Sequence, residues 1–192
     1  MEERRELLDL LNKLTSDTLI MRLIDGGRHW VVSVLDAAPR PLSLESRPSG
    51  TNLISSLISS PHAIRIQFVP GAGSQTWRDS SDDGFLNDDG TPGRGTGSSV
   101  WLDRLNVTEI NPIEIILGHE LIHTHRMATG TDTGRIQPER IDVRMEGMNA
   151  RTIIEELYVI GIRTSFTNRP ITTENRLRIE QGIEEANVYE YD

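Results

Sequence analysis

The sequence predicts an α+β fold formed by a single domain over residues 1–192. The length of 192 residues suits one domain, and 36% hydrophobic residues suffice for one core with a large share of polar loop. Segments with helical spacing of apolar residues lie towards both ends of the chain, with shorter strand-like segments between them. No internal repeat and no interdomain linker interrupts this order.

The first part of the chain is predicted to form two helices and a strand. Leucines at helical spacing predict an amphipathic helix over residues 2–14. A second, short helix is predicted over residues 16–24, and the glycines at 26–27 are predicted to end it. The valine-rich residues 29–36 predict a strand, because β-branched side chains favour extended backbone.

The middle of the chain is predicted to contain a helix, two strands and a long loop. An apolar patch predicts a short helix at residues 53–58, and alternating apolar and polar residues predict a half-buried strand at 62–69. Residues 71–97 are rich in glycine and aspartate and show no periodicity, which is typical of a long loop or flap. A short strand is predicted at 98–103, in a position suited to an exposed sheet edge.

Three helices are predicted in the last part of the chain. A capping residue and a proline at 111–112 predict the start of a helix that continues to about residue 127. Apolar residues predict a further helix at 153–160. Thr172 or Thr173 is predicted to cap a last helix.

Composition and charge exclude several classes of function. The net charge of -9 repels phosphate backbones, so we expect no nucleic-acid partner. The absence of cysteine excludes disulfides, thiol nucleophiles and cysteine-ligated zinc. The charged N-terminal segment begins no long apolar run, so we expect neither a cleavable signal peptide nor a membrane span.

The chemistry is concentrated in the segment His119-Glu120-Leu121-Ile122-His123, on the first of these three helices. Two histidines four residues apart project from one face of a helix, so both imidazoles can reach one Zn²⁺. Glu120 lies beside the first histidine, where it can accept a proton from the attacking water and pass it to the leaving amine. This pattern predicts a zinc-dependent metallopeptidase that binds one zinc ion per chain.

A catalytic zinc needs a third protein ligand and one open position. His125 lies two residues from His123 and points away from the pair, and no histidine follows it, so the third ligand is predicted to be a carboxylate. Burying an unpaired carboxylate is costly, so acidic residues on the apolar helix at 153–160 favour a ligand there. The candidates are Glu155 and Glu156 on that helix, and Asp132, Glu139, Asp142 and Glu146 in chain predicted to be irregular.

The zinc segment resembles that of clostridial neurotoxin proteases. Residues 124–126 and Gly130 follow the motif as they do in the zinc helix of those proteases. The pair Glu155 and Glu156, with Gly161 after it, is similar to their third-ligand helix. The resemblance implies that Glu156 binds zinc and that Glu155 supports the site without binding the ion.

A larger part of the chain is similar to the NleD-like family of secreted bacterial effector metallopeptidases. Besides the zinc helix, the matching segments are 11–24, 93–100, 155–161, and Thr173-Glu174-Asn175 with Arg178 and Gly182. The resemblance implies a zincin-like fold, with a small mixed sheet, the zinc helix and a third-ligand helix. It also implies secretion without a cleavable signal peptide, through type III secretion or at the tip of a larger toxin. Studied members cleave mitogen-activated protein kinases, which implies a host protein substrate in the host cytosol.

Zincin sites commonly place a hydrogen-bond donor opposite the general base, to stabilise the oxyanion. Tyr189 or Arg178 is predicted to be this donor, and Arg178 lies in a segment that matches the family. The alternative for Arg178 is an ordinary pair with Glu174, four residues before it. The alternative for Tyr189 is a position in a frayed tail.

The substrate is predicted to be an extended segment of a folded protein. Such a peptide can add to the edge of the 98–103 strand through main-chain hydrogen bonds, and the 71–97 loop can close over it. The predicted substrate-binding residues are Ser98, Ser99, Val100 and Trp101.

Two other functions are compatible with a metal-binding helix. A peptidase toxin domain of a polymorphic or antibacterial toxin would have the same catalytic centre as a host-directed effector. A non-catalytic metal-binding interaction domain is the other alternative. Glu120 argues against it, because a site that only binds metal does not need that carboxylate.

Overall fold

The structure is a computed structural model, which describes residues 2–38, 47–80, 82–105, 107–133, 150–162 and 172–186. Its helices are α1 (Glu2–Leu14), α2 (Pro48–Ile58), α3 (Ile113–Ala128), α4 (Ala150–Ile160) and α5 (Glu174–Glu180). Its strands are β1 (Thr18–Ile24), β2 (His29–Asp36), β3 (Ile64–Phe68), β4 (Gln75–Arg78) and β5 (Ser98–Leu102). These elements confirm the predicted α+β class. In the described ranges, no helix has both the length and the apolar character needed to cross a membrane.

The strands form two separate sheets. β1 and β2 pair as an antiparallel hairpin, whereas β3, β5 and β4 form a three-stranded sheet in that order. In the larger sheet β3 is parallel to β5 and β4 is antiparallel to it, so this sheet is mixed, as predicted. β5 is therefore a central strand, with a neighbour on each side.

The helix predicted over residues 16–24 is wrong, because residues 18–24 form strand β1. β1 pairs along its length with β2. The turn between the strands contains Asp25 and Gly26, with φ values of 53° and 65°. Positive φ values at an Asp-Gly pair are typical of a tight hairpin turn. Strand pairing across this turn therefore overrides the helical spacing of the leucines and isoleucines.

The stretch 71–97 is not entirely loop, because Gln75–Arg78 forms the edge strand β4. Four residues are too few to show a periodicity, so only the pairing with β5 reveals this strand. Further along, the stretch lies against the C-terminal end of α3. There the Gly93 amide donates a hydrogen bond to the Gly130 carbonyl at 2.8 Å. This contact joins the second half of the predicted flap to the end of α3.

Helix α3 lies in the middle of the core and contacts the mixed sheet on one side and α1, α2 and α5 on the other. Its side chains Ile115, Leu117 and Leu121 are at most 1% exposed. They form one buried cluster with Val100 and Leu102 of β5. Each such side chain contributes roughly 1.5–3 kcal/mol through burial. The packing holds in place the helix that carries both histidines.

Replacing Gly50 with alanine is expected to lower the free energy of unfolding by about 3 kcal/mol. Gly50 lies in α2, and a Cβ atom there would lie 1.8 Å from the Leu14 carbonyl oxygen. That oxygen belongs to the backbone at the end of α1, so it cannot move aside alone. In an uncrowded helix the same change stabilises by about 1 kcal/mol, so the sign of the effect tests the packing.

Urea unfolding measures this difference, with Ser56→Ala on the exposed side of α2 as the control. The control should change the free energy of unfolding by less than about 0.5 kcal/mol. A Gly50→Ala protein as stable as the parent would contradict the close approach of α2 to α1.

Candidate metal centre

Helix α3 brings the two histidines of the motif together. The Nε2 atoms of His119 and His123 lie 3.1 Å apart, and the ring planes meet at 67°. This proximity follows from the spacing of four residues, which places both side chains on one face of the helix.

Helix α4 supplies a carboxylate to the same point. Glu156 places Oε2 3.1 Å from His119 Nε2 and Oε1 3.2 Å from His123 Nε2. The ligand atoms of His119, His123 and Glu156 lie within 4.8 Å of one another, so this His–His–Glu cluster could hold a metal ion.

Among the carboxylates that the sequence left open and the structure describes, Glu156 is the one that lies at both histidines. Asp132 forms an ion pair with Arg78 at 2.7 Å and is 2% exposed. Glu155 points to the far side of His123. The remaining candidates lie outside the described residues; they are Glu139, Asp142 and Glu146.

The spacing of the His–His–Glu cluster fits tetrahedral zinc. Around a zinc ion with bonds of roughly 2.0–2.1 Å, neighbouring ligand atoms lie about 3.3–3.4 Å apart. The two Nε2 atoms are 3.1 Å apart, and each lies 3.1–3.2 Å from a different oxygen of Glu156, slightly shorter than that ideal. Two imidazole nitrogens and one carboxylate oxygen are also a ligand set that catalytic zinc sites use.

Glu174 contacts His119 at Nδ1, the ring nitrogen that does not face the cluster. Its Oε2 lies 2.7 Å from His119 Nδ1, so Nδ1 carries the hydrogen and donates it to the carboxylate. The other ring nitrogen, Nε2, faces Glu156, so a metal that displaces the proton there would meet its lone pair. Glu174 begins α5 directly after Thr173, whose side chain accepts a hydrogen bond from the Arg176 amide and caps the helix.

The electrostatics of the cluster favour a positive charge between the ligand atoms. Burial acts to lower the pKa of His119, but hydrogen bonds to Glu156 and Glu174 and the charges of Glu156 and Glu120 raise it to about 10. For Glu156, burial acts to raise the pKa. Its hydrogen bonds to His119 and His123 outweigh burial and hold the pKa well below its usual range.

Glu155 occupies the space behind His123. One of its oxygens lies 3.9 Å from His123 Nδ1 and accepts a hydrogen bond from Arg126 Nε. The other oxygen accepts from a second Arg126 nitrogen at 2.9 Å, and from the amide and hydroxyl of Thr133 at 2.8 and 2.6 Å. Burial acts to raise the pKa of Glu155, but the bonds and charge of Arg126 lower it. Glu155 thus stays ionised and links α4 to α3.

Glu120 lies beside the cluster but contributes no atom to it. The side chain is buried, and Oε2 accepts a hydrogen bond of 2.7 Å from the hydroxyl of Thr76 on β4. The carboxylate therefore lies between α3 and the edge strand β4 of the sheet.

Arg178 forms the pair with Glu174 that was its alternative role, and its oxyanion role stays a prediction. Arg178 Nε donates to Glu174 Oε1 at 2.6 Å. Its other nitrogens donate to the Ile110 carbonyl at 2.6 Å and to the Asn111 side chain at 2.9 Å. These contacts direct the guanidinium towards the start of α3, where it supports Glu174 and through it His119. Tyr189 lies outside the described residues, and its role stays a prediction.

The exposed edge predicted for the 98–103 strand is wrong, because β5 has β3 on one side and β4 on the other. Both of its hydrogen-bonding edges are therefore paired. The side chains of Ser98 and Val100 are fully buried on one face of the sheet. Those of Ser99 and Trp101 lie on the other face and are partly exposed. Among the described residues, the sheet edge that lies at Glu120 belongs to β4.

The sequence did not identify Glu174 and Thr76 as parts of the site. Glu174 lies 55 residues from His119 and was considered only as a partner of Arg178. Its position directly after a capping threonine is a signal for a helix start, but not for a contact with a histidine. Thr76 lies 44 residues from Glu120, in a stretch predicted to be loop, and no local pattern identifies it.

No protein-family model matches the chain, and neither a curated protein nor a solved structure matches it significantly. Its function is therefore inferred from the residues of the site and from the motifs that they form.

Proposed function

We propose that the protein is a zinc-dependent endopeptidase with a zincin-like fold. The observation that carries this proposal is the meeting of His119, His123 and Glu156 at one point, with Glu120 beside them and outside the ligand set. A site that only binds metal has no use for a fourth, separately held carboxylate. A hydrolase requires one, because proton transfer to and from the reacting groups needs a base that is not a ligand.

Each of these residues has a distinct part in peptide hydrolysis. The three ligands would hold zinc, which when bound polarises the scissile carbonyl and lowers the pKa of water. Glu120 accepts a proton from the attacking water as the C–O bond forms. It then returns that proton to the amine as the C–N bond breaks. Glu174 and Glu155 keep the two imidazoles in fixed orientations, which limits the reorganisation that binding and catalysis require.

The open edge of β4 supports an extended peptide as the substrate. β4 has a strand partner on one side only among the described residues. Thr76 on this strand contacts Glu120, so a peptide that added to the open edge would lie beside the general base. Trp77 of the same strand is 53% exposed and is available to contact substrate side chains on the outer face of the sheet.

The biological context is proposed from the resemblance to NleD-like effectors. On this proposal, the protein is secreted from a bacterium and cleaves a host protein in the host cytosol, with mitogen-activated protein kinases as the first candidates. The net charge of -9 favours a cleavage site that has basic residues nearby.

The test is to incubate the zinc-loaded protein with host-cell lysate and with purified mitogen-activated protein kinases, and to map new termini by mass spectrometry. The matched control is zinc-loaded Glu120→Gln protein. Cleavage of an unrelated host protein alongside intact kinases would overturn the kinase target and retain the peptidase. If no protein is cut in a zinc- and Glu120-dependent manner, the peptidase proposal fails.

Replacing Glu174 with glutamine is expected to weaken zinc binding by about 10–100-fold. The amide no longer attracts the hydrogen on His119 Nδ1 as a charged acceptor, so His119 becomes a weaker and less well oriented ligand. Competition with a fluorescent chelator measures the dissociation constant, and Glu114→Gln on α3 is the control. Unchanged zinc affinity in the Glu174→Gln protein would show that Glu174 does not support the site.

A further inference from the structure

The hydroxyl of Thr76 lies within hydrogen-bonding distance of two oxygens of Glu120. It is 2.7 Å from the carboxylate Oε2 and 3.1 Å from the main-chain carbonyl oxygen. Thr76 belongs to β4 and Glu120 to α3, so this contact joins the edge strand to the zinc helix. The proposed function assigns the proton transfers to Glu120 and gives no part to Thr76.

We propose that Thr76 is a positioning residue for Glu120, so that strand β4 as well as α3 determines the orientation of the general base. This inference rests on the proposed peptidase function. It adds a role for a residue that neither coordinates metal nor exchanges a proton with the substrate.

The surroundings of Thr76 make it a rigid donor. Its backbone pairs with Val100 of the central strand β5, and Val100 is completely buried. A β-branched side chain such as threonine has few χ1 rotamers, so an anchored backbone leaves the hydroxyl little freedom. A glutamate has several rotatable bonds and needs such an anchor to keep one orientation.

The hydroxyl of Thr76 has two acceptors on one residue. A hydroxyl carries one hydrogen, so it donates to the carboxylate or to the carbonyl oxygen, but not fully to both. Either hydrogen bond keeps the Thr76 side chain in contact with Glu120.

The same contact links the base to the proposed substrate edge. An extended peptide paired with β4 would hold the strand that carries Thr76. The orientation of Glu120 would therefore be most restricted when the substrate is bound, which is when it is needed.

The kinetic test compares Thr76→Val, which has a similar shape but no hydroxyl, with Thr76→Ser, which keeps the hydroxyl. We expect Thr76→Val to lower kcat by about 10–100-fold, because misplacing a catalytic group by about 1 Å costs up to that factor. KM should change by less than about twofold, since uniform substrate binding is not removed. Zinc content should be unchanged, and Thr76→Ser should restore most of kcat. Parental kcat in Thr76→Val, or equal losses in both variants, would overturn the proposal.

A second measurement needs neither metal nor activity. In metal-free protein, Thr76→Val, Glu120→Ala and the double variant form a cycle of urea unfolding midpoints. We expect Thr76→Val to shift the midpoint clearly in the parent and much less when Glu120 is already alanine. Additive shifts would overturn the contact, even in an active peptidase. Non-additive shifts in a protein that cleaves nothing would overturn the peptidase function and reduce Thr76 to a structural contact.

Discussion

Replacing Glu120 with glutamine is expected to lower kcat by about 10²–10⁴-fold, the usual loss when a general base is removed. The amide has nearly the same shape and can still accept a hydrogen bond from Thr76, but it cannot accept a proton. Zinc should stay bound, because Glu120 supplies no atom to the His–His–Glu cluster. The expected result is therefore a folded, metal-loaded and nearly inactive protein.

The measurement pairs turnover of a cleaved substrate with zinc content determined by mass spectrometry. Glu114→Gln makes the same chemical change on α3, at a glutamate that pairs with Lys13 of α1 and lies outside the His–His–Glu cluster. This control should keep near-parental turnover. If metal-loaded Glu120→Gln turned over at the rate of the Glu114→Gln control, Glu120 would not be the base.

Removing a metal ligand is expected to lower the zinc affinity more than removing a residue that supports a ligand. His119→Ala, His123→Ala and Glu156→Ala should each weaken zinc binding by more than about 100-fold, the upper range for supporting residues. Each change deletes one of three protein ligands, and the two that remain cannot hold a tetrahedral ion with comparable affinity. Glu156→Ala is the most informative of the three, because Glu156 was one of several open carboxylate candidates.

Zinc titration of metal-free protein provides this measurement, and circular dichroism verifies the fold of each variant. His125→Ala is the matched control, because it removes an imidazole from α3 that lies outside the cluster. The control should bind about one zinc per chain with parental affinity. Stoichiometric, tight zinc binding by the Glu156→Ala protein would mean that another residue is the third ligand.

Elements with local signals were predictable from the sequence. The helix at 2–14 and the helix that carries the histidines are present, with ends close to those predicted. The helix predicted at 53–58 is also present and ends as predicted, but it begins earlier, at Pro48. Thr173 caps α5 through its own side chain, as one of the two predicted caps. These signals depend on neighbours within a few residues, so no knowledge of distant chain segments is needed to interpret them.

Elements that depend on pairing with a distant segment were not predictable in the same way. Residues 18–24 have helical spacing of apolar side chains, yet they form β1 because β2 lies beside them across a tight turn. β4 has too few residues for any pattern, and only its pairing with β5 makes it a strand. Because β4 pairs with β5, β5 lies inside the sheet. The edge that a substrate strand could join therefore belongs to β4 and not to β5.

The sequence by itself determined that His119 and His123 face the same point and that Glu120 lies beside them. A single helix imposes that geometry whatever surrounds it. Only the tertiary structure decided that Glu156 completes the cluster, that Glu174 holds His119 and that Thr76 holds Glu120. Each of these contacts joins two elements that are far apart in the chain, and side-chain periodicity carries no information about which elements pack together. Packing of α4, α5 and β4 around the buried helix α3 supplies that information.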